Sequence, residues 1–400
     1  MASVYLSHHP LREDTMQTKP WLPAALAGTC AAAAVFFVSN ASTPAEPGHP
    51  RLVQAGTMST ARAAHQATLL DSGQVLVTGG CGDGCSASLA AAELYEPSSR
   101  AFAATAPMSE PRNSHVAASL PGGRVLVAGG WSGRGVTGSA EIFEPAGRRF
   151  VPADSMAQPR AAARAAHLAD GRVLVVGGQT AAFEVLASAE IFDPATSRFT
   201  GTRPMSTPRV GHAATALADG RVLVTGGAPS RRGDVMRSAE LYDPRTGRFE
   251  RTGDMLFPRR KHASVLLADG RVLVIGGSDG RDQQGRYHST EWYDPATGRF
   301  TPGPDMHLAR FKLPDAVVVS RSGDVVVAGG DRRVERLRAR QGRFQLVDGG
   351  SSGAREFATA TLLANGDVLV LGGYDERIVA SASVWLLRAE QARLAQADAL

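Results

Sequence analysis

The sequence predicts an all-β fold, a seven-bladed propeller of four-stranded antiparallel blades whose last blade is closed by the N-terminal strand. Three observations predict it. A Gly-Gly pair follows an apolar run seven times, at intervals of 43 to 53 residues. Each unit carries turn and strand signals for four short strands. The last unit lacks a fourth strand, and a matching segment precedes the first unit. The pairs begin at Gly79, Gly129, Gly177, Gly226, Gly276, Gly329 and Gly372.

The fourth unit shows each element in order. Residues 212–217 are small and apolar and predict the first strand, which Asp219-Gly220 ends in a tight hairpin turn. The β-branched run 221–225 predicts the second strand, and the Gly-Gly pair ends it where the backbone must bend or pack closely. Residues 239–242 predict a third strand, and an Asp-Pro turn leads to a fourth at 248–249.

Ring closure is predicted by spacing. In six units a glutamate opens the third strand nine residues before a phenylalanine of the fourth. The seventh unit has its third strand at 383–387 and no matching fourth. Arg51-Leu52 stands six residues before Met58, the offset that separates Phe102 from Met108. The N-terminal strand therefore completes the last blade and leaves no exposed sheet edge.

These motifs resemble kelch repeats, and more narrowly the bacterial kelch domains related to the galactose-oxidase propeller. The resemblance rests on the double glycine, the Asp-Gly turn, the Ala-Glu-aromatic-Asp-Pro strand and the Met-x-x-x-Arg linker. It covers residues 51 to about 388. A departure occurs in the sixth unit, which loses the Asp-Pro turn and gains two residues between Met306 and Gly329. The resemblance implies either an interaction protein or a sugar-active enzyme, such as a mutarotase or an oxidase relative.

Composition excludes several classes. A hydrophobic fraction of 43% excludes a disordered chain, and the absence of a strict glycine period excludes collagen. Arginine supplies all but three of the 43 basic residues, and the pI is 9.4. Most of these arginines recur with the repeat, and no stacking aromatics accompany the basic runs, so we expect no nucleic-acid partner.

The N-terminus predicts export. Residues 21–38 are uncharged and follow Arg12 and Lys19, and Ser39-Asn40-Ala41 suits cleavage after Ala41. We expect residues 1–41 to be a cleaved export signal, which makes the protein periplasmic or secreted. The alternative is a membrane anchor formed by residues 21–38. Residues 42–50 read as a linker, 51–388 as the propeller, and 389–400 as a tail whose composition suits a short helix. We expect a monomeric propeller.

Cys81 and Cys85 are the only cysteines after the apolar segment. In an exported protein this pair predicts a local disulfide. Two thiols without a second pair do not make a tetrahedral metal site, and we expect no metal and no cofactor.

The predicted strand order places the loops after the second strands and the linkers between blades on one face of the ring. We call this the variable-loop face, because its loops differ between units and the opposite face carries near-identical short turns. A binding site is expected there. The candidate ligand-binding residues are Trp131, Arg134, Arg231, Arg232, Asp279, Arg281, Tyr287, His288, Tyr374 and Asp375.

A linker arginine recurs in all seven units, and a histidine follows it by three residues in four of them. These residues could ring a central channel and bind an anion or a metal. We favour the other interpretation, a partly buried pair between each linker arginine and the third-strand glutamate, because a residue that recurs in every blade usually solves a problem common to all blades.

Two further signals concern chemistry. Arg336, Arg338 and Arg340 would share one face of a strand in the sixth unit and form a candidate patch for an anionic ligand.

No phosphate-binding loop, zinc-protease motif or nucleophile elbow occurs, and we name no catalytic residue. The sequence predicts a non-enzymatic propeller that binds a protein or a carbohydrate through its variable-loop face, with a sugar-active enzyme as the alternative.

Overall fold

The computed structural model describes residues 51–230, 234–351 and 353–389. It consists of seven four-stranded antiparallel sheets arranged as blades; in six of them the strands follow chain order, and in the seventh the N-terminal strand takes the outer place. The propeller is therefore confirmed. Short 3-10 turns occur at Asp83–Cys85, Pro145–Gly147 and Asp282–Gly285. The predicted export signal, the linker 42–50 and all of the C-terminal tail after residue 389 lie outside the described residues.

The strands of the first three blades, from the inner to the outer edge, have these bounds. Blade 1 contains β2 (Gln66–Leu69), β3 (Val75–Thr78), β4 (Ala92–Glu96) and β5 (Ala101–Ala104). Blade 2 contains β6 (Val116–Leu120), β7 (Arg124–Ala128), β10 (Ala140–Glu144) and β11 (Arg149–Ala153), and its variable loop forms the hairpin β8 (Trp131–Ser132) and β9 (Gly135–Val136). Blade 3 contains β12 (Arg164–His167), β13 (Val173–Val176), β14 (Ala189–Asp193) and β15 (Arg198–Gly201).

The remaining blades follow the same order. Blade 4 contains β16 (Ala213–Ala216), β17 (Val222–Thr225), β18 (Ala239–Asp243) and β19 (Arg248–Arg251). Blade 5 contains β20 (Ala263–Leu266), β21 (Val272–Ile275), β22 (Thr290–Asp294) and β23 (Arg299–Pro302). Blade 6 contains β24 (Val317–Val319), β25 (Val325–Val327), β26 (Glu335–Arg338) and β27 (Arg343–Leu346). Blade 7 contains β28 (Thr359–Leu362), β29 (Val368–Leu371), β30 (Ser383–Leu387) and the N-terminal β1 (Leu52–Thr57).

The N-terminal strand closes the ring, as predicted. Strand β1 pairs antiparallel with β30, and Leu52 lies opposite Leu387. The first strands of neighbouring blades contact one another around the whole ring, including β28 of blade 7 with β2 of blade 1. These first strands surround the central channel, so their side chains and the linkers before them determine what the channel presents.

The core lies between blades. Seven apolar clusters each join two neighbouring blades, and the clusters at the closure and between blades 2 and 3 are typical. The second strand of each blade is buried on both faces, because it lies between sheets on either side. Val222, Leu223 and Val224 are at most 1% exposed. The β-branched sequence of these strands suits such two-sided burial.

The Gly-Gly pairs provide close contact between blades. Gly226 and Gly227 both have positive φ, at 61° and 86°. A Cβ atom at Gly226 would overlap the carbonyl oxygen of Arg259 in the next linker. The N–H of Gly227 donates a hydrogen bond to that same oxygen at 2.8 Å. Glycine is therefore required here both for its backbone conformation and for its lack of a side chain.

We expect Gly226→Ala to lower the free energy of unfolding by more than Gly270→Ala. Gly270 also has positive φ, at 85°, but a Cβ atom added there would meet no other atom within 4 Å. The left-handed conformation alone should cost about 1–2 kcal/mol at either site. The overlap with the Arg259 carbonyl adds to the cost at Gly226 only. Urea denaturation of both variants checks this, and equal losses would show that the blade contact does not require glycine.

Candidate functional site

The linker arginines pair with the third-strand glutamates inside the blades, as favoured from the sequence. In blades 1 to 6 each arginine is buried and contacts a carboxylate of its own blade. The pairs are Arg62–Glu93 at 2.6 Å, Arg112–Glu141 at 2.9 Å, Arg160–Glu190 at 2.9 Å, Arg209–Glu240 at 3.0 Å, Arg259–Glu291 at 3.0 Å and Arg310–Glu335 at 3.2 Å. These arginines do not form an anion-binding ring.

Each pair is part of a larger hydrogen-bonded unit. In blade 4 the Arg209 Nη1 donates to the carbonyl oxygens of Gly226 at 2.8 Å and Ser238 at 2.9 Å. The Glu240 carboxylate also accepts the backbone N–H of Ser206 at 2.8 Å. Burial lowers the pKa of Arg209, and Glu240 opposes that shift. The partners satisfy both charges, so the blade can bury them.

Blade 7 departs from this pattern. Trp385 lies opposite Val370 at the register position that a glutamate occupies in the other blades. Arg355 instead turns towards blade 6 and donates to the carbonyl oxygens of Ala328 at 3.3 Å and Arg332 at 3.2 Å. It is 3% exposed, and its Nη1 has no hydrogen-bond partner within the described residues. Burial without a paired carboxylate lowers the pKa of Arg355 to about 10.

The four recurring histidines are also buried between blades. The Nε2 of His115 lies 2.9 Å from the Thr78 hydroxyl, and the Nε2 of His262 lies 2.8 Å from the Thr225 hydroxyl. Both threonines end the second strand of the preceding blade. His65 contacts the hydroxyl of Thr359 at 3.0 Å. Burial lowers the pKa of His65 and His262 to about 3, so these side chains are neutral at pH 7.

The residue two positions after each linker arginine lines the inner rim of the channel. We call these seven residues the rim positions. All have positive φ, between 51° and 68°. Most are joined by backbone hydrogen bonds between blades, such as Ser114 N–H to Ala64 O at 3.0 Å and Lys261 N–H to Gly211 O at 2.7 Å. The rim positions are Ala64, Ser114, Ala162, Gly211, Lys261, Lys312 and Phe357.

Two of the chain's three lysines occupy neighbouring rim positions. The Nζ of Lys261 lies 3.2 Å from Asp282, and the Nζ of Lys312 lies 2.6 Å from Glu356. Both lysines are less than 10% exposed. The Lys312 ammonium also lies 4.8 Å from the ring centre of Tyr374, a cation–π contact. The rim therefore carries a compact cluster of opposite charges in blades 5 to 7.

A pocket with a cavity volume of about 40 Å³ opens at the channel mouth on the variable-loop face. Asp315 lines this pocket, and its carboxylate contacts side chains from two other blades. Its carboxylate lies 3.0 Å from Arg164 of blade 3 and accepts a hydrogen bond from Gln66 of blade 1 at 3.3 Å. Lys261 and His115 also line the pocket. This polar cluster is the candidate functional site.

Sequence reasoning did not identify this site. The sequence did contain a pattern that places the two lysines together, because both stand two residues after a linker arginine in consecutive units. Asp315 had no repeat signal. The two extra residues of the sixth unit lie between Arg310 and Gly329, a separation of 19 where the other blades have 17. Leu313 occupies the place of a histidine there, against Gly276.

The candidate ligand-binding residues are spread around the variable-loop face rather than gathered in one site. Trp131 packs on Phe183 at 5.4 Å, and Arg134 is exposed nearby. Arg281 pairs with Asp279 at 2.6 Å within its own loop. Arg231 and Arg232 lie outside the described residues.

The other four candidates differ in exposure. Tyr287 packs on Phe257 at 6.0 Å, and the exposed His288 lies 3.6 Å from Asp305. Asp375 accepts backbone hydrogen bonds inside its own turn. Tyr374 alone adjoins the candidate site, since its ring lies 5.8 Å from that of Phe357, which lines the pocket.

The arginine patch in the sixth unit needs correction. Arg336 is buried and lies 2.5 Å from the Asp324 carboxylate, which also lies 3.7 Å from Arg338. Arg340 lies beyond the end of β26, in the turn to β27. Arg336 and Arg338 do lie on one side of the strand, as predicted, but the Asp324 carboxylate of the same blade pairs with them there. The three residues therefore do not form an exposed patch for an external anion.

Cys81 and Cys85 form a disulfide, with their Cα atoms 4.8 Å apart. The loop they close contacts blade 7, because the Asp83 carboxylate accepts the N–H of Ala380 at 2.8 Å. Within the described residues no group of three or more His, Cys, Asp or Glu side chains is placed to hold a metal ion.

The fold and the channel define a seven-bladed β-propeller with a polar pocket at its axis. A family model described as Kelch motif matches residues 259–307, from the linker arginine of blade 5 to just beyond Met306. The same linker arginine and Gly-Gly pair recur in the other six blades, and the third-strand glutamate recurs in five of them. The chain is a kelch-repeat β-propeller, a class that suggests a protein-interaction scaffold. The narrower relationship to the galactose-oxidase propeller stays a prediction.

No curated protein matches the chain. In the part of the chain that the structure describes, no helix is long and apolar enough to cross a membrane.

We expect Arg209→Met to lower the free energy of unfolding by about 3–5 kcal/mol, because it leaves Glu240 charged and buried. Arg355→Met should cost less than about 1 kcal/mol, because it leaves no carboxylate unpaired. Chemical denaturation of the two variants measures the difference. Similar losses at both positions would mean that the carbonyl hydrogen bonds, rather than the ion pair, make these arginines necessary.

The buried histidines should make the free energy of unfolding depend on pH. Their folded pKa lies below the ordinary value of 6.5, so the unfolded chain binds protons that the folded chain excludes. The free energy of unfolding is therefore expected to fall as pH drops from 6.5 towards 3, by up to about 1.4 kcal/mol per pH unit for each histidine. His262→Gln should reduce that slope by about one proton. Urea denaturation between these pH values tests it, and an unchanged slope contradicts the assignment.

Proposed function

We propose that this kelch propeller is an exported interaction protein whose variable-loop face binds a protein partner. One observation carries the proposal. The exposed large apolar side chains of the described residues all belong to loops of this face. Leu256 and Phe257, 41% and 47% exposed, lie in the linker before blade 5, and Val379, 48% exposed, lies in the variable loop of blade 7. Exposed apolar side chains surrounded by polar residues are typical of protein-binding surfaces.

The opposite face supports the same choice. Its short turns neutralise their own charges, as in Asp219–Arg221 at 2.6 Å and Asp269–Arg271 at 2.7 Å. The aspartate of each turn also accepts the backbone N–H of its arginine, so the pair is fixed locally. Repeated, internally paired turns offer a partner little that distinguishes one blade from another.

Export is part of the proposal. The apolar segment at residues 21–38 and the small residues before position 41 support a signal sequence. The Cys81–Cys85 disulfide supports an oxidising compartment, because disulfides are rare in the cytosol. A periplasmic or secreted monomer is the form we propose, with retention by residues 21–38 as the membrane-tethered alternative.

A carbohydrate ligand or a sugar-active enzyme is the second candidate. The observation that favours it is the channel-mouth pocket, where Arg164, Asp315 and Gln66 present donors and acceptors of the kind that sugar hydroxyls require. Such a role needs the channel mouth rather than the apolar loops, so variants can separate the two.

The test is a crosslinking pull-down with the tagged full-length protein in its own cells. We expect Leu256→Ser/Phe257→Ser to remove the partner that the wild type recovers. Arg245→Ser is the matched control, because Arg245 is an 85% exposed side chain of a short turn on the opposite face. It should retain the partner. Recovery unchanged by the double variant, or lost equally in the control, contradicts the proposal. Loss only with Gln66→Ala, together with binding on a glycan array, favours the carbohydrate role.

A further inference from the structure

The face opposite the variable loops, which we call the turn face, changes its charge at blades 6 and 7. In blades 1 to 5 the third strand ends in a glutamate or aspartate that is followed by proline. Arg338 takes that register position in blade 6, opposite Arg343. Arg388 takes it in blade 7, one residue beyond the Leu387–Leu52 pair. An acidic residue of the repeat is therefore replaced by a basic one in two neighbouring blades.

Exposed arginines surround these two turns. Arg388 has a side chain that is 48% exposed and lies 3.2 Å from the Asp367 carboxylate. Four other exposed arginines form no ion pair with a carboxylate of the described residues. We call these four arginines and Arg388 the basic edge. The four are Arg51, Arg321, Arg340 and Arg343.

The acidic residues of the same turns are already paired. Asp324 and Asp367 are each 5% exposed. Asp324 pairs within blade 6 with Arg336 and Arg338, which therefore do not belong to the basic edge. Asp367 pairs with Arg388. The exposed arginines thus leave an uncompensated positive charge on this part of the turn face.

Contacts between turns join the basic edge across two blades. The turn that carries Arg321 adjoins the turn that carries Arg340, because a Cβ atom added at Gly323 would lie 3.6 Å from the Cβ of Ala339. Arg321 also reaches blade 7, where its Nη2 donates a hydrogen bond to the carbonyl oxygen of Ala364. The arginines of blade 6 therefore lie next to the turn between β28 and β29.

Blade 7 continues this surface to the start of the described chain. Asp367 belongs to the turn between β28 and β29, and its contact with Arg388 places that side chain beside the turn. Strand β1 pairs with β30 so that Leu52 lies opposite Leu387. Arg51 and Arg388 are the next residues of the two strands, so they adjoin each other. The five arginines therefore form one continuous edge.

The position of Arg51 indicates what this edge faces. Arg51 is the first described residue, so residues 39–50 join the basic edge directly to the uncharged segment 21–38. A stretch of this length spans at most about 40 Å when it is fully extended. In the membrane-tethered form described above, the lipid surface is therefore within reach of the basic edge.

We propose that the basic edge docks the propeller onto a membrane surface that contains anionic lipids. Guanidinium groups bind phosphate oxygens through paired, charge-assisted hydrogen bonds. Each basic side chain near an anionic lipid surface strengthens binding roughly fivefold. The proposal rests on the membrane-tethered form and does not depend on the protein partner. Docking by the turn face directs the variable-loop face, with Leu256 and Phe257, away from the lipid and towards a partner.

The test measures binding of the full-length protein to phosphatidylcholine vesicles with and without phosphatidylglycerol. Any contribution of the segment 21–38 is common to both vesicles, so the ratio of the two affinities reports the charge-dependent docking. We expect Arg51→Gln/Arg340→Gln/Arg343→Gln to lower the preference for phosphatidylglycerol roughly a hundredfold. Salt at about 1 M should remove the preference of the wild type, because the Debye length falls to about 3 Å.

A second triple variant on the other face is the matched control. Arg203, Arg332 and Arg377 are exposed in linkers and loops of the variable-loop face, and their change to glutamine removes the same charge. This variant should keep the preference for phosphatidylglycerol. Thermal unfolding of both triple variants should match the wild type, because none of the six arginines forms an ion pair with a carboxylate of the described residues.

Hydrogen exchange on the vesicles tests the orientation. Amides of residues 338–343 should exchange more slowly on phosphatidylglycerol vesicles, and those of the blade 7 variable loop at 375–380 should be unchanged. The proposal is overturned if the wild type shows no preference, if both triple variants lose it equally, or if only the variable loop is protected. It is also overturned if the basic-edge variant loses binding to alginate, a soluble acidic polysaccharide, and keeps its lipid preference.

The partner proposal fails or succeeds separately. Leu256→Ser/Phe257→Ser should keep the preference for phosphatidylglycerol, because both residues lie on the opposite face from the basic edge. The basic-edge variant should in turn still recover the protein partner in the crosslinking pull-down. Loss of lipid preference in the Leu256→Ser/Phe257→Ser variant would overturn docking by the turn face.

Discussion

A buried guanidinium organises each of blades 1 to 6. In blade 4, Arg209 binds Glu240 of the third strand and the carbonyl oxygen of Gly226 at the end of the second strand, so one side chain holds three parts of the blade together. The backbone of the same residue faces the other way, because its carbonyl oxygen accepts the N–H of Gly178 in the preceding blade at 2.9 Å. In blades 1 to 6 each linker arginine therefore joins its own blade to the preceding one. The need to bury this charge explains the glutamate, and the need to approach its backbone explains the double glycine.

Local rules made most of the fold predictable from the sequence. Each repeat contains its own turns, strands and charge pair, so the reason for Arg209 or Glu240 can be read within about 35 residues of chain. The closure could be predicted as well, because the offset between Leu52 and Met58 repeats one found in the five linkers between blades 1 and 6. Blade 7 shows how far such reasoning extends. Only the strand register shows that Trp385 takes the place that a glutamate has in the other blades.

The candidate site was less predictable because its residues meet across the ring. Arg164 and Asp315 are 151 residues apart and come from blades 3 and 6. No local pattern links them, and the two inserted residues that precede β24 break the repeat just where Asp315 appears. The prediction of an exposed anion-binding patch at Arg336 and Arg338 was wrong for a related reason. Alternation along a strand gave the correct shared side, but it could not show that Asp324, opening the neighbouring strand, faces that side.

The exceptions to the repeat therefore indicate where this propeller differs from a generic scaffold. Residues that recur, such as Arg209 and Glu240, serve the fold. Lys261 and Lys312 replace the alanine, serine or glycine of earlier rim positions, and their carboxylate partners come from variable loops and linkers rather than from the repeated strands. Blades 5 to 7 also supply Asp315 and the exposed apolar side chains. Because the backbone hydrogen bonds of the rim hold these positions whatever the side chain, the channel mouth can vary its chemistry without loss of the ring.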